Sequence, residues 1–203
     1  MTTQEKNGIT EGVIWKQLLI FFFPILVGSF FQQLYNTVDS VIVGQFVGKE
    51  ALSSVGGSAG QIISLVVGFF TGVSTGATVI ISQYFGAGKK EEIEESLHTA
   101  YAFALVGGLV LGIAGIVFAP QMLRWMNTPE ELIAESVLYV RVYFSGLIFI
   151  FIYNMGAAIL RAVGDSKRPL YYLIVCSVVN IILDLLLILV IPLGVLGAAI
   201  ALS

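Results

Sequence analysis

Two aspartates sit where charge is most expensive. Asp184 lies within Leu170–Ile191, LYYLIVCSVVNIILDLLLILVI, long and apolar enough to cross a bilayer as a helix, which takes roughly 20 residues. Asp39 lies towards the end of an apolar run that opens at Trp15. A carboxylate at the centre of a spanning helix costs about 2.5–3.5 kcal/mol on insertion scales. Such a residue faces protein or water rather than lipid, and is a candidate for function. Of the thirteen acidic residues only these two fall deep in apolar spans; the other eleven map to tails and loops. Two carboxylates in a poorly solvated cavity cannot both be ionised cheaply, so the pair keeps a proton or holds a cation. Either is a switchable charge to which a bundle with two arrangements can respond. The plainer alternative is that each aspartate only accepts hydrogen bonds within a packed bundle.

Their neighbours share their faces. Ser177, Asn180 and Asp184 stand at i, i+3 and i+7, one face of a helix. Gln32, Tyr35, Asn36 and Asp39 form a polar stripe along the first helix, which a cavity tolerates and lipid does not. Asn180, one turn from Asp184, can supply a carbonyl ligand to Na⁺ or a hydrogen bond to a protonated aspartate. Asp39, Asn180 and Asp184 are therefore also a candidate Na⁺ site.

The elements that carry these residues follow from composition. Apolar and aromatic residues make up 57% of the 203, only 11% are charged, and the mean hydropathy is +0.94. That excludes an ordinary soluble domain and defines an all-α polytopic membrane protein. The one cysteine, Cys176, rules out an intrachain disulfide. The first apolar run is too long for a cleaved signal. No P-loop, dinucleotide fingerprint or Cys/His cluster is present, so nothing points to a cofactor or to nucleic acid as a partner. An intramembrane aspartyl protease would carry a Tyr-Asp pair and a Gly-x-Gly-Asp. Here Val38 and Leu183 precede the two aspartates, and no enzyme is expected.

The pattern predicts a cytoplasmic tail over 1–13 and helices over about 14–43, 51–84, 98–118, 137–160 and 170–191, with a sixth, incomplete, over 194–203. Pro24 falls inside the first and favours a kink there. The second is rich in Gly, Ser and Thr, including Gly68, Gly72 and Gly76, and is expected to pack closely on its neighbours. Residues 119–136 read as a polar connection in which Thr128 caps a helix start at Pro129 and Glu131 closes a capping box. His98 stands at the edge of a charged segment and is expected to be solvated.

With the N-terminus inside, Lys6, Lys16, Lys89, Lys90, Arg161, Lys167 and Arg168 are cytoplasmic, against Lys49, Arg124 and Arg141 outside. The positive-inside rule therefore places the N-terminus in the cytoplasm. At 1.5 Å per residue, Asp39 lies roughly 36 Å beyond Trp15 and Asp184 roughly 22 Å beyond Pro169. Both belong to the outer half of the membrane.

Taken in order, these segments resemble the N-terminal half of a multidrug and toxic compound extrusion (MATE) transporter. The resemblance rests on FPILVGSFFQQLYNTVDSVIVGQFVGKEALSSVG, SQYFGAGKKEEI, ILRAVGDSKRPLYY, NIILD and GVLGAA, which together span nearly the whole chain. The combination of Asp39 with Asn180 and Asp184 is most similar to the DinF-like branch. The resemblance implies a six-helix lobe of a twelve-helix, two-lobe protein of the plasma membrane. It also implies cation-coupled export, driven by H⁺ or Na⁺, of amphipathic and often cationic compounds by alternating access. Carried over, Asp39 and Asp184 would be the coupling carboxylates with Asn180 beside them, and Tyr139 and Asn154 would complete the polar network. Gln32, Tyr35, Asn36 and Ser177 would line the substrate cavity, and bending at Pro24 would accompany the change in charge. Tyr35 and Tyr139 also offer aromatic faces to organic cations. Leu202 stands where many relatives have Thr, which disfavours Na⁺ relative to H⁺. Such a transporter needs its C-lobe, or a second half-chain. A lipid-linked saccharide flippase of the same superfamily would want inward cations, for which only Arg141 is a candidate. A non-transporting membrane half or scaffold is the third reading, with membrane lipid its partner in any case.

Overall fold

The computed structural model describes residues 13–191 and 194–202. Most of the expected tail, and Ser203, lie outside the described residues. Seven α-helices follow one another: α1 (Ile14–Ile42), α2 (Lys49–Gly56), α3 (Ser58–Gly86), α4 (Lys90–Trp125), α5 (Glu130–Ala162), α6 (Lys167–Asp184) and α7 (Val195–Leu202). Two π-helical segments, Val43–Val47 and Leu185–Val190, extend α1 and α6. Five stretches among the described residues are long and apolar enough to cross a membrane.

The lobe is built around α5, which packs on α2, α3, α4, α6 and α7. Phe70 of α3 stacks on Phe151 of α5 in its core, and Phe103 of α4, exposed on its outer side, lies against Phe70. Along α4 the buried residues include Ala100, Ala104, Gly108, Gly112, Gly115 and Ala119, spaced three or four apart. Small side chains on one stripe let the α4 and α5 backbones approach closely, the usual way helices pack where lipid is as apolar as leucine. A Cβ on Gly108 would lie 3.0 Å from the Ile148 Cα, and one on Gly112 3.0 Å from the Phe144 carbonyl oxygen.

By contrast α1 packs chiefly on α6, and Trp15, Phe22, Phe23, Leu26 and Phe30 are exposed. Its contact face carries Pro24, Gly28, Asp39 and Ile42. Gly28 lets Leu173 of α6 come to 3.4 Å of where its Cβ would be. Asp39 and Asp184 lie eleven residues beyond Gly28 and Leu173 respectively. Two parallel helices in this register bring the aspartates to one level.

Several expected boundaries are corrected. The expected second helix is two, α2 and α3, broken at Gly57, where a Cβ would stand 2.4 Å from the Ser53 carbonyl oxygen. Of the α3 glycines, Gly60 is packed, with a Cβ there 2.7 Å from the Val55 carbonyl oxygen, whereas a Cβ on Gly68, Gly72 or Gly76 would meet no atom within 4 Å. The third helix, expected to begin in the charged segment and to span over 98–118, runs over Lys90–Trp125, and at its far end Pro120 is tolerated inside it. Proline frees the carbonyl four residues earlier, here Ile116, and Arg141 Nε of α5 donates to that oxygen at 3.1 Å. The connection 119–136 thus shrinks to the turn 126–129. Thr128 is not the cap of α5: its backbone N–H closes the end of α4 on Leu123, its hydroxyl is buried without a partner, and α5 begins at Glu130. The last expected full span is α-helical only to Asp184, and starts at Lys167. There Asp165 Oδ1 accepts the backbone N–H groups of Lys167 and Arg168, both at 3.1 Å.

Candidate coupling site

Asp39 and Asp184 meet where α1 and α6 face each other. They are 6% and 0% exposed, and the carboxyls stand close enough for one, when protonated, to hydrogen-bond the other. Asp39 Oδ1 and both carboxyl oxygens of Asp184 are buried with no donor among the described residues. Asn180 is also buried; its Nδ2 donates to the Ala201 carbonyl at 3.0 Å, which ties α6 to α7 and leaves Oδ1 buried without a donor. Four acceptor oxygens thus lie without a donor on one short stretch of the α1–α6 seam. Buried acceptors without donors are costly, and a proton or a small hard cation removes that cost. No group of three or more His, Cys, Asp or Glu forms among the described residues. The donor set is two carboxyls and an amide carbonyl, which fits a proton or a monovalent ion such as Na⁺.

Tyr139 of α5, 4% exposed, lies within electrostatic reach of both aspartates. Its ring centroid is 6.5 Å from that of Tyr143, which in turn feels Tyr35 of α1. Tyr35 is half-buried within hydrogen-bonding reach of the Gln32 side chain, and also feels Asp39. Ser177 is buried, but its hydroxyl is spent on the Leu173 carbonyl of its own helix, at 2.8 Å. Asn154 Nδ2 likewise donates to Ile150 of its own helix at 2.8 Å. Gln32 and Asn36 are exposed on the flank of α1, so the stripe of the first helix divides between a face against α6 and an open flank. Pro24 is buried on the former. His98 is exposed, its Nδ1 at 2.8 Å from the Glu94 carbonyl oxygen.

The two π-helical segments escaped the sequence reading. One follows Asp184 directly, and the other begins four residues after Asp39. Gly48 N–H reaches the Val43 carbonyl and Ile191 N–H reaches Leu186, each at 3.1 Å and five residues apart. The two segments pack on one another. Insertions of this kind recur at functional sites. Tyr143 was also missed, although its i+4 spacing from Tyr139 was a usable signal.

Fold and site together define a polytopic helical lobe with a buried pair of carboxylates on its α1–α6 seam. The MatE family model matches residues 24–186, and the chain belongs to the MATE family, whose members are transporters rather than enzymes. It is 33% identical over 205 residues to the probable multidrug resistance protein YoeA of Bacillus subtilis, covering 99% of this chain and 43% of YoeA. It is 35% identical over 193 residues to YpnP of the same organism, also described as a probable multidrug resistance protein, covering 94% and 42%. Among solved structures it is similar to an outward-facing multidrug resistance MATE transporter of the MOP superfamily. There the TM-score is 0.91 and the identity 27%, over 100% of this chain and 44% of the other. The chain therefore spans less than half the length of these relatives and corresponds to their N-lobe.

Proposed function

We propose that the chain is the N-lobe of a cation-coupled antiporter that exports amphipathic, cationic drugs or metabolites by alternating access. The observation that carries this is the meeting of Asp39 and Asp184 as buried carboxylates without hydrogen-bond donors across α1 and α6. Occupied by H⁺ or Na⁺, with Asn180 Oδ1 as a third oxygen, the pair loses one of its two negative charges and the seam can close. Emptied, it carries negative charge and favours either separation of the carboxyls or a cationic substrate nearby. α1 is the helix suited to move, since it packs chiefly on α6 and has Pro24 in its contact face. Tyr139 reads the state of the pair, and Tyr35, Gln32, Asn36 and Ser177 line the path of the substrate. Asn154, on α5 with Tyr139, completes the polar network of the coupling site. The DinF-like assignment rests on the same three residues, Asp39, Asn180 and Asp184. The N-terminus lies in the cytoplasm, and the cleft is completed by a C-lobe or a second half-chain.

The flippase reading is disfavoured by a specific contact. Arg141, the candidate inward cation, is engaged with the Ile116 carbonyl on α4. The test is efflux of a cationic dye from cells expressing the complete reading frame under an imposed pH or Na⁺ gradient. Wild type should export the dye, and Asp39→Asn and Asp184→Asn should each stop it. Export indifferent to both substitutions would sink the proposal.

A further inference from the structure

One hydroxyl of α3 differs from its neighbours. Thr71, Thr75, Thr78 and Ser82 each donate to a carbonyl of their own helix three or four residues back, at 2.8–2.9 Å. Bonds of this kind satisfy a helical hydroxyl without help from another element. Ser74 makes none: it is 4% exposed, and its Oγ is buried without a partner. A buried hydroxyl in that state is costly and calls for an acceptor from a facing helix.

Two contacts locate that acceptor. The Phe70 ring stacks on Phe151 of α5 with centroids 3.3 Å apart, and Thr78 Oγ1 also lies 3.3 Å from the Ala158 carbonyl oxygen. Ser74 is midway between Phe70 and Thr78, so it stands opposite the turn of α5 midway between Phe151 and Ala158. Three side chains leave that turn. Tyr153 lies within electrostatic reach of Cys176 of α6 and Tyr35 of α1, and Met155 lines the groove between α3 and α4. The third is Asn154, half-buried, whose Nδ2 donates to the Ile150 carbonyl and whose Oδ1 can accept a hydroxyl.

We propose that Ser74 is a positioning residue for Asn154. The amide has two anchors, the Ile150 carbonyl of its own helix and the Ser74 hydroxyl of α3, and a change of rotamer exchanges them. Ser74 thereby ties α3 to a polar network otherwise carried by α1, α5 and α6. This role rests on the reading of Asn154 as a member of the coupling network.

The experiment is a double-mutant cycle in the complete transporter carrying this lobe, with Ser74→Ala, Asn154→Ala and both together. It is read by reversible unfolding in mixed micelles and by affinity for ethidium. One hydrogen bond is worth about three- to tenfold in an equilibrium constant. Ser74→Ala should weaken ethidium binding by that factor, and should have no further effect once Asn154 is alanine. The two substitutions should be non-additive in unfolding as well. Thr78→Val, which removes the neighbouring hydroxyl between α3 and α5, should leave ethidium affinity unchanged. Additive effects on unfolding would overturn the contact. Ethidium affinity unmoved by Ser74→Ala, or lowered equally by Thr78→Val, would overturn the positioning role. Cation coupling fails by a different result, wild-type affinity that ignores both H⁺ and Na⁺, and the unfolding cycle is scored whatever that result.

Discussion

Gly115 and Phe144 carry the closest approach between α4 and α5, and the consequence of adding one methyl group there can be worked out. A Cβ on Gly115 would stand 1.7 Å from Phe144 Cδ1 and 2.1 Å from Cε1, where ordinary contact begins at 3.4 Å. Phe144 is 3% exposed, so its ring has no open side to swing into. The substitution must push the two helices apart, and overpacking of this kind costs about 1–3 kcal/mol. In an open stretch of helix the same Gly→Ala change gains up to about 1 kcal/mol in propensity. Gly115→Ala should therefore be neutral to destabilising by about 2 kcal/mol. Gly72→Ala, on a face of α3 with open space, should be stabilising. In a Phe144→Ala background Gly115→Ala should change sign and become stabilising, a coupling of about 1–3 kcal/mol. Reversible unfolding of the complete transporter in mixed denaturing micelles measures all four corners of the cycle. A Gly115→Ala that stabilises as much as Gly72→Ala, or costs the same with and without the Phe144 ring, would refute a steric conflict at this crossing.

Two further predictions concern backbone groups. Arg141→Ala should lower the unfolding free energy by about 1 kcal/mol, because it removes the donor on the Ile116 carbonyl. Pro120→Ala should suppress that loss by restoring an intrahelical N–H, and a loss unchanged by Pro120→Ala would show that the contact is incidental. Gly48 has φ 124° and ψ 174°, a conformation that only glycine adopts readily. Gly48→Ala should therefore cost about 1–3 kcal/mol in the same unfolding assay, and a neutral result would mean that the junction of the π-helical segment with α2 relaxes freely.

Much of this lobe was legible in the sequence, for a physical reason: a charge within a membrane span is too costly to be accidental. Asp39 and Asp184 stood out from the other acidic residues on that ground, and the structure puts them together. What hydropathy could not show was where polar backbone would be satisfied by another helix. Residues 119–136 read as a polar connection, yet the helix continues through Pro120, where Arg141 supplies the missing donor. Thr128 reads as a cap, yet its backbone closes the preceding helix. Gly68, Gly72 and Gly76 of α3 read as packing residues, whereas the close approach lies along α4, where Ala100, Ala104, Gly108 and Gly112 recur every four residues. That spacing was available and decides the α4–α5 contact. The π-helical segments carry no sequence signal of comparable strength. They arise where α1 and α6 adjust to one another beyond the aspartates.

In the proposed function the Asp39–Asp184 pair exchanges a small cation for a cationic substrate. The measurement that tests it most directly is the affinity of the purified complete transporter for ethidium, titrated calorimetrically across a series of pH values and Na⁺ concentrations. Affinity should fall as H⁺ or Na⁺ rises, and Asp39→Asn and Asp184→Asn should each remove this dependence. Wild-type binding indifferent to both cations, or a dependence that persists in both variants, would contradict it.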